Sequence, residues 1–520
     1  MELMKRVSIM WVLFFIVIAF IYVSYLNRVP VHFNQDELGF SLNAYSIAKT
    51  GSDENGRFFP LYFWHLGLMY STPIIVYLTS LFLLFLPLAE NTVRLSSVVV
   101  GLTDVILIYF LAKEIFKQKK YGFFAAFLLA FTPVHSMQSR ILLDNLYPLP
   151  FILGWLLSVF LYLKDKRIRW LFLSTFLLGV GIHSYHSAKI MMTLYLIFTF
   201  IVLAIRLRKK LEAYIFAFLG LCVSLLPFIF WLSKYPDTLS DQIKYTRLYD
   251  LSLSPLEGIL NLLRPEILME KIKVFIAYFN PYFLFINGDI SLTHTTHKTG
   301  VFVYVLAILI PLGIYQILKN KKNVFNIVIL LGFFSSPFAA SLVGEYYMSS
   351  RMLVILPFAV IISVFGLDFL INKFPKRSIN IIAVTVLLVI VQFAYFVNDY
   401  YTGYRIRSYS MFKYNIPGAM EKILENSKDN PSEKIYLSKN IDFIDRYWRF
   451  FVYKHQQTEI LSRTYYFDPL TADISLIPQG SLILLRFDQL DENYKNNLQL
   501  KSYQEIMEPD GFISFYIYRN

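Results

Sequence analysis

One cysteine, Cys222, is all that the 520-residue chain contains, and it lies in an apolar run. That scarcity excludes a disulfide framework and any metal site built on cysteine. Charge is scarce too: 16% of residues are Asp, Glu, Lys or Arg, with 36 acidic residues against 49 basic ones. The resulting formal charge of +13 does not mark a nucleic-acid surface, because the basic residues fall in short clusters between apolar runs. No internal repeat or low-complexity segment is evident. What abounds is apolar surface: 56% hydrophobic residues, 18% aromatic and a mean hydropathy of +0.51. Such a chain is a polytopic membrane protein. Its first apolar run is too long for a cleavable signal, and no small-residue cleavage site follows, so the run is expected to remain as a span.

Apolar runs of span length fall at 7–26, 93–112, 121–137, 147–163, 170–186, 189–205, 213–231, 300–318, 324–343, 352–371 and 378–398. A further run at 73–88 is bounded by Pro73 and Pro87. As a helix it would reach only about 24 Å, short of a hydrocarbon core of about 30 Å. The basic clusters decide its place. They are Lys5/Arg6, Lys113/Lys117/Lys119/Lys120, Lys164/Lys166/Arg167/Arg169, Arg206/Arg208/Lys209/Lys210, Lys319/Lys321/Lys322 and Lys373/Lys376/Arg377. With the 73–88 run left out, all of them share the side of the N-terminus; with it counted, all but the first move across. The positive-inside rule therefore favours about eleven spans, an N-terminus in the cytoplasm, and a juxtamembrane helix at 73–88. Beyond about residue 402 the apolar runs stop. Short alternating segments follow at 434–439, 481–486 and 513–519, with a helix near 417–427, and they predict a small α/β domain outside. The division is thus 1–400, a helical membrane domain, and 401–520, an extracytoplasmic domain.

This topology puts "FNQDELGFSLNAYSIAKTGSDENGRFFP" (33–60), with its adjacent carboxylates Asp36 and Glu37, in the first outer loop. Outside also lie "HSMQSRILLDN" (135–145), "HSYHSAK" (183–189) and "EYYMSSR" (345–351), whose isolated cations Arg140, Lys189 and Arg351 run against the positive-inside rule. Paired carboxylates beside a bilayer suit general-base work on a hydroxyl, and outer cations suit a lipid phosphate. The bland alternatives are specific. An Asp-Glu pair is ordinarily solvated surface or a helix cap, and a cation at a span end is ordinarily a snorkelling anchor. His294 and His297, spaced i, i+3, have metal-ligand types but no assured acidic partner, His183 and His186 are similar, and "TGSDENGRFFP" reads as a turn.

The ordered set of these segments resembles the C-type membrane glycosyltransferases, specifically the protein-mannosyltransferase and aminoarabinose-transferase-like group. The resemblance rests on the Asp36-Glu37 pair, "AYSIAKTGSDENGRFFP", the Pro-led "STPIIVYLTSLFLLF", "NTVRLSSVVVG", "FTPVHSMQSRILLDN", "YFNPYFLFINGDISLTHTTHKTGVF" and "SSRMLVILP". It covers roughly residues 1–400. It implies an inverting hexosyl- or pentosyltransferase of the cell membrane, which takes a sugar from a polyprenyl-phosphate donor to a hydroxyl acceptor on a protein, a glycolipid or a cell-wall glycan. Asp36 would be the base and Glu37 would assist the acceptor or shape the loop. Arg351, and with it Arg140 and Lys189, would bind the donor phosphate, while Asp53, Glu54, Asp144, His294 and His297 are candidates for substrate contact. No cofactor is called for, and a divalent cation is left open. Ser71 and Thr72 stand where the aminoarabinose-transferase pattern has acidic and lysine residues, which argues against an aminoarabinose donor and a metal at that point. The competing readings are an oligosaccharide or polysaccharide polymerase or ligase, and a lipid-linked glycan transporter. The transporter predicts charged residues within spans and paired repeats; Asp104 is the main acid within a span.

Overall fold

The computed structural model describes residues 2–206, 210–238, 240–241, 252–319, 323–428, 430, 432–472, 476–489 and 502–519. Arg208, Lys209, Lys321 and Lys322, used above for the topology, lie outside the described residues. Each apolar run is largely helical: α1 (Glu2–Val23), α4 (Glu90–Phe116), α5 (Lys119–Ala130), α7 (Leu149–Asp165), α8 (Arg169–Gly181), α9 (Ala188–Arg206) and α10 (Leu211–Lys234), then Leu306–Lys319, Val324–Ser335, Ile355–Lys373 and Ser378–Tyr401. In lipid a backbone has no water to bond, so only helices or closed barrels satisfy it. Among the described residues, seven helices are long and apolar enough to cross a membrane. The other expected spans fall on shorter apolar helices, and two of the expected runs are divided by proline. Pro133 opens a separate α6 (Pro133–Gln138) after α5, and Pro337 separates Val324–Ser335 from Phe338–Val343. The 73–88 run becomes α3 (Pro73–Leu83), an eleven-residue helix with Pro73 in its first turn.

The bundle has a centre and a rim. The apolar stretch of Ile355–Lys373 is 72% buried, while those of α10 and Ser378–Tyr401 are 22% and 28% buried and turn their apolar faces outward. Between them the core is aromatic. The indole of Trp155 stacks on Tyr195 at 4.9 Å and donates to Thr199 Oγ1 at 2.8 Å, so its one polar atom is satisfied.

The tail is a mixed five-stranded sheet in the order β4-β3-β5-β7-β6: β3 (Ile435–Ser438), β4 (Thr464–Phe467), β5 (Leu482–Arg486), β6 (Ser502–Met507) and β7 (Ile513–Arg519). Strand β3 runs parallel to β4 and β5, with Ile435 opposite both Thr464 and Leu482; β7 is antiparallel to β5 and β6. The expected strands and the helix Ile416–Asn426 are present. Strands β4 and β6 and the helix Ile444–Lys454 were not anticipated. That helix packs the tail against the first loop and the start of α4: Tyr447 donates to the carbonyl of Phe33 at 2.8 Å, Phe450 lies 4.8 Å from Phe33, and Lys454 pairs with Glu90 at 2.8 Å. On the opposite flank His32 meets Glu508 at 2.6 Å. The tail is therefore seated directly on the first loop.

Candidate active site

The first loop folds because its acids serve a helix. In α2 (Gln35–Thr50) Asn34 is the N-cap, its Oδ1 accepting from the Asp36 amide at 2.9 Å. Glu37, three residues on, accepts from the Asn34 amide at 2.9 Å, which completes a capping box. Two neighbouring carboxylates thus enter the same helical turn and point apart. Glu37 is fully buried. Its Oε1 takes Arg94 Nε at 2.7 Å and the Leu142 amide at 3.0 Å, and its Oε2 takes Arg94 Nη2 at 2.8 Å. Arg94 also donates to the carbonyls of Leu26 and His32. This bidentate pair joins α2, α4 and the segment after α6. Both carboxylate oxygens of Glu37 are thus engaged by the protein itself, a geometry that suits the second of its two expected roles, shaping the loop, better than assisting an acceptor.

Asp36 faces the other way. Its side chain is 46% exposed and opens into a cavity of about 1070 Å³. Asp144, His294 and Arg351 share that cavity with it. The cavity lies at one end of the bundle: Asp144 and Asn145 lead into α7, Ser187 into α9, and Arg351 into Ile355–Lys373. Beside Asp36, His65 Nε2 stands 3.4 Å from Oδ1. The imidazole lies on a short hairpin of β1 (Phe63–His65) and β2 (Met69–Ser71), its ring centre 4.4 Å from that of Phe40 and tilted by 39° to it. It also rests directly on α2, where a Cβ at Gly39 would come within 2.6 Å of the ring. Glycine at position 39 is what lets the ring approach Asp36.

Asp144 accepts from the Thr72 hydroxyl at 2.8 Å. Thr72, which departs from the aminoarabinose-transferase pattern, is thus occupied with orienting a cavity carboxylate. Arg351 lies in a short turn, Ser349–Arg351, with its Nε 2.7 Å from Glu345 Oε2. The turn is held from below by Asp289, a fully buried carboxylate whose Oδ2 accepts from both the amide and the hydroxyl of Ser349. Asp289 follows Gly288, whose φ of +72° suits glycine. In the sequence Asp289 stands out only as an acid directly after a glycine, with no basic residue near it.

The remaining candidates are engaged elsewhere. Arg140 is 1% exposed and donates to the carbonyls of Ile21, Tyr22 and Ser24 at 2.6–2.9 Å. It caps the C-terminal end of α1, where unpaired carbonyls and the helix dipole favour a cation, and it does not line the cavity. Lys189, at the start of α9, is also absent from the lining, with its ammonium 5.7 Å from the Tyr62 ring. Asp53 accepts from the amides of Asn55 and Arg57 at 2.9 and 2.8 Å and pairs with the Arg57 side chain, closing the expected turn. Glu54 pairs with Arg446 at 3.2 Å and Arg449 at 3.4 Å on the tail helix. Of the two loop histidines, His294 meets Gln138 at 3.2 Å in the cavity wall, whereas His297 turns to the Asp289 carbonyl at 2.9 Å. Among the described residues, no group of three or more His, Cys, Asp or Glu is arranged to hold a metal ion.

This architecture, a multi-pass helical bundle with loop helices and a seated tail beside a polar cavity, is the C-type membrane glycosyltransferase fold. The chain is similar over its whole length to the ArnT structure from Cupriavidus metallidurans in the apo state, at a TM-score of 0.55 and 12% identity, with 98% of each chain covered. The same protein bound to undecaprenyl phosphate gives the same values. The archaeal oligosaccharyltransferase AglB from Archaeoglobus fulgidus, in complex with an inhibitory peptide and a dolichol-phosphate, is similar at a TM-score of 0.51 and 14% identity, covering 85% of this chain and 64% of that one. Residues 70–233 match the sequence model of the dolichyl-phosphate-mannose-protein mannosyltransferase family. No curated protein matches the sequence.

Proposed function

We propose that the chain is an inverting hexosyl- or pentosyltransferase that moves a sugar from a polyprenyl-phosphate donor to a hydroxyl acceptor on the outer face of the cell membrane. The observation that carries this reading is the pairing, within one cavity of about 1070 Å³ at the ends of membrane helices, of the half-exposed carboxylate of Asp36 with the guanidinium of Arg351. Asp36 accepts the acceptor's proton as the new C1–O bond forms. The bond from C1 to the phosphate oxygen breaks on the opposite face, which inverts the anomeric centre. Arg351 meets the phosphate as its negative charge develops, exchanging its contact with Glu345 for the stronger bidentate one, and Lys189 adds positive charge nearby. Residues 1–400 form the transferase domain in this reading, with the N-terminus in the cytoplasm and the tail outside. ArnT's binding of undecaprenyl phosphate and the match to a mannosyltransferase family support the donor class.

The test is a reconstitution. The purified chain in liposomes is given a panel of radiolabelled polyprenyl-phosphate sugars together with membrane extracts as acceptor source. Release of polyprenyl phosphate, with label transferred at inverted anomeric configuration, is the expected result. Transfer with retained configuration, or binding without consumption of any donor, would overturn the reading.

A further inference from the structure

Two arginines at the cavity end of the bundle have no carboxylate to meet. Arg28 is exposed in the segment between α1 and α2, and Arg405 is half-buried in a short helix, Gly403–Ser408, that follows Ser378–Tyr401. Neither guanidinium forms a hydrogen bond or an ion pair among the described residues. The cations around them are matched. Arg407 pairs with Asp399 at 2.7 Å and donates to the Thr296 carbonyl at 3.0 Å, Lys413 pairs with Asp442 at 2.9 Å, and Arg140 is engaged by the carbonyls that end α1.

Contact between the ends of the two long helices brings the unmatched pair together. Tyr25 and Tyr401 meet edge to face at 5.9 Å, and the Tyr401 hydroxyl donates to the Ser24 carbonyl at 3.3 Å. Arg28 lies over the Tyr25 ring at 5.7 Å. Its charge reaches Arg405: burial lowers the Arg405 pKa from the ordinary guanidinium value, the charge of Arg28 lowers it further, and no carboxylate opposes them. Two like charges held side by side are unfavourable by themselves and favourable around an anion.

The surroundings restrict that anion. Phe20 and Val23 in the last turn of α1, Tyr395 toward the end of Ser378–Tyr401, and Ile406 beside Arg405 are all exposed. On a membrane-crossing bundle such side chains face lipid. A snorkelling anchor needs only water for its charge and gives no reason to set two arginines together. A free anion would use the charges and leave the apolar surface beside them unused. The planar guanidinium fork matches a phosphate, and a phosphate carried on acyl chains matches both features. Neither arginine lines the cavity of Asp36 and Arg351, so this lipid is not placed as a donor.

We infer that Arg28 and Arg405 form a binding site for the phosphate of an anionic bilayer phospholipid, whose chains lie against the exposed ends of α1 and Ser378–Tyr401. One headgroup thereby bridges the first loop and the start of the tail. The site is separate from the transfer chemistry proposed above.

The full chain is purified in detergent, given equal amounts of phosphatidylglycerol and phosphatidylcholine, and its retained lipids are counted by native mass spectrometry. The wild type is expected to keep one phosphatidylglycerol that resists washing, in clear preference to phosphatidylcholine. Arg28→Gln combined with Arg405→Gln should lower that retention by about tenfold or more, and Arg28→Gln alone by severalfold, as follows when each arginine beside an anionic headgroup contributes a share. Lys119→Gln combined with Lys120→Gln, which removes charge beyond the far end of α4, should leave it unchanged. The exposed Arg28 carries the test if the double arginine variant melts early. Unchanged retention in the folded arginine variants would make these residues water-facing anchors and overturn the site, as would equal retention of phosphatidylcholine. Displacement of the phospholipid by millimolar inorganic phosphate would overturn it in favour of a free-anion site. Displacement by an equal amount of a polyprenyl phosphate would overturn it in favour of a second donor contact.

Discussion

Asp36 and Glu37 are adjacent in the chain, and their surroundings differ completely. One carboxylate opens into the cavity at 46% exposure; the other is buried and holds four hydrogen bonds from Arg94, Asn34 and Leu142. Arg351 and Arg140 repeat the contrast: a partly exposed guanidinium in the cavity, and a sealed one capping α1. The lesson is that the two kinds of charged residue are told apart by their partners. A group whose hydrogen-bonding capacity is filled by the protein has nothing left for a substrate. A group with one long contact, such as the 3.4 Å approach of His65 to Asp36, keeps its capacity free.

The contrast is tested most sharply at the carboxylates themselves. Asp36→Asn preserves size and removes no buried contact, so melting should be unchanged. Turnover on the donor should fall by about 10²–10⁴-fold, the usual contribution of a general base. A fall of less than tenfold in the folded variant would shift the base to Asp144. The converse holds across the buried pair. Arg94→Met leaves Glu37 charged and unpaired, and Glu37→Gln leaves Arg94 so; each should cost about 3–5 kcal/mol of stability in detergent, measured by thermal or denaturant unfolding. The double variant should recover much of that loss, because it removes both charges together. Singles as stable as the wild type would break the distinction drawn here.

How far this was legible beforehand differs between levels. Apolar runs announced the helices because lipid forces each spanning backbone to bond to itself, and the two prolines that bound 73–88 announced a short one there. Asp36, Asp144, His294 and Arg351 were candidates that the fold brings to one cavity. Glu37 and Arg140 were candidates for the same reasons, and their long-range partners are not adjacent to them in sequence. Arg94 sits 57 residues from Glu37, and the amide of Leu142 sits 105 away. Pairings over such separations are fixed by tertiary packing, which periodicity does not encode. One signal was available: an arginine within the apolar run 93–112 demands a buried partner. His65 was missed for a related reason, since its approach to Asp36 depends on Gly39 having no side chain.

A smaller effect is expected at Arg351. Lysine keeps the charge and the ion pair with Glu345 but not the planar fork. Arg351→Lys should weaken binding of a polyprenyl-phosphate probe by about 1.5–3 kcal/mol, the range for hydrogen bonds to charged groups, with melting unchanged. Arg140→Lys should show the reverse pattern, a lowered melting temperature with probe binding per folded molecule unaltered.

The smallest effect belongs to Glu54, and there the sign matters more than the size. Its carboxylate pairs with Arg446 and Arg449 of the tail helix, so counting ion pairs would make it a stabilising clasp. Burial nevertheless raises its pKa above the ordinary carboxylate value, outweighing the lowering by the two arginines. A folded-state pKa above the unfolded one means that the folded chain holds the proton more tightly. The contribution is favourable below the unfolded value and is lost as pH rises through the folded value. Relative to Glu54→Gln, which is neutral throughout, wild-type stability should decline as pH is raised from about 4 to about 7. The whole difference should stay within about 1 kcal/mol, and transfer activity should be nearly unaffected, since Glu54 does not line the cavity. Melting curves of the two proteins across that pH range decide the matter. Wild-type stability that instead rises with pH relative to the variant would show that the arginine pairs outweigh the cost of burial, and Glu54 would then join Glu37 among the carboxylates that hold the fold together.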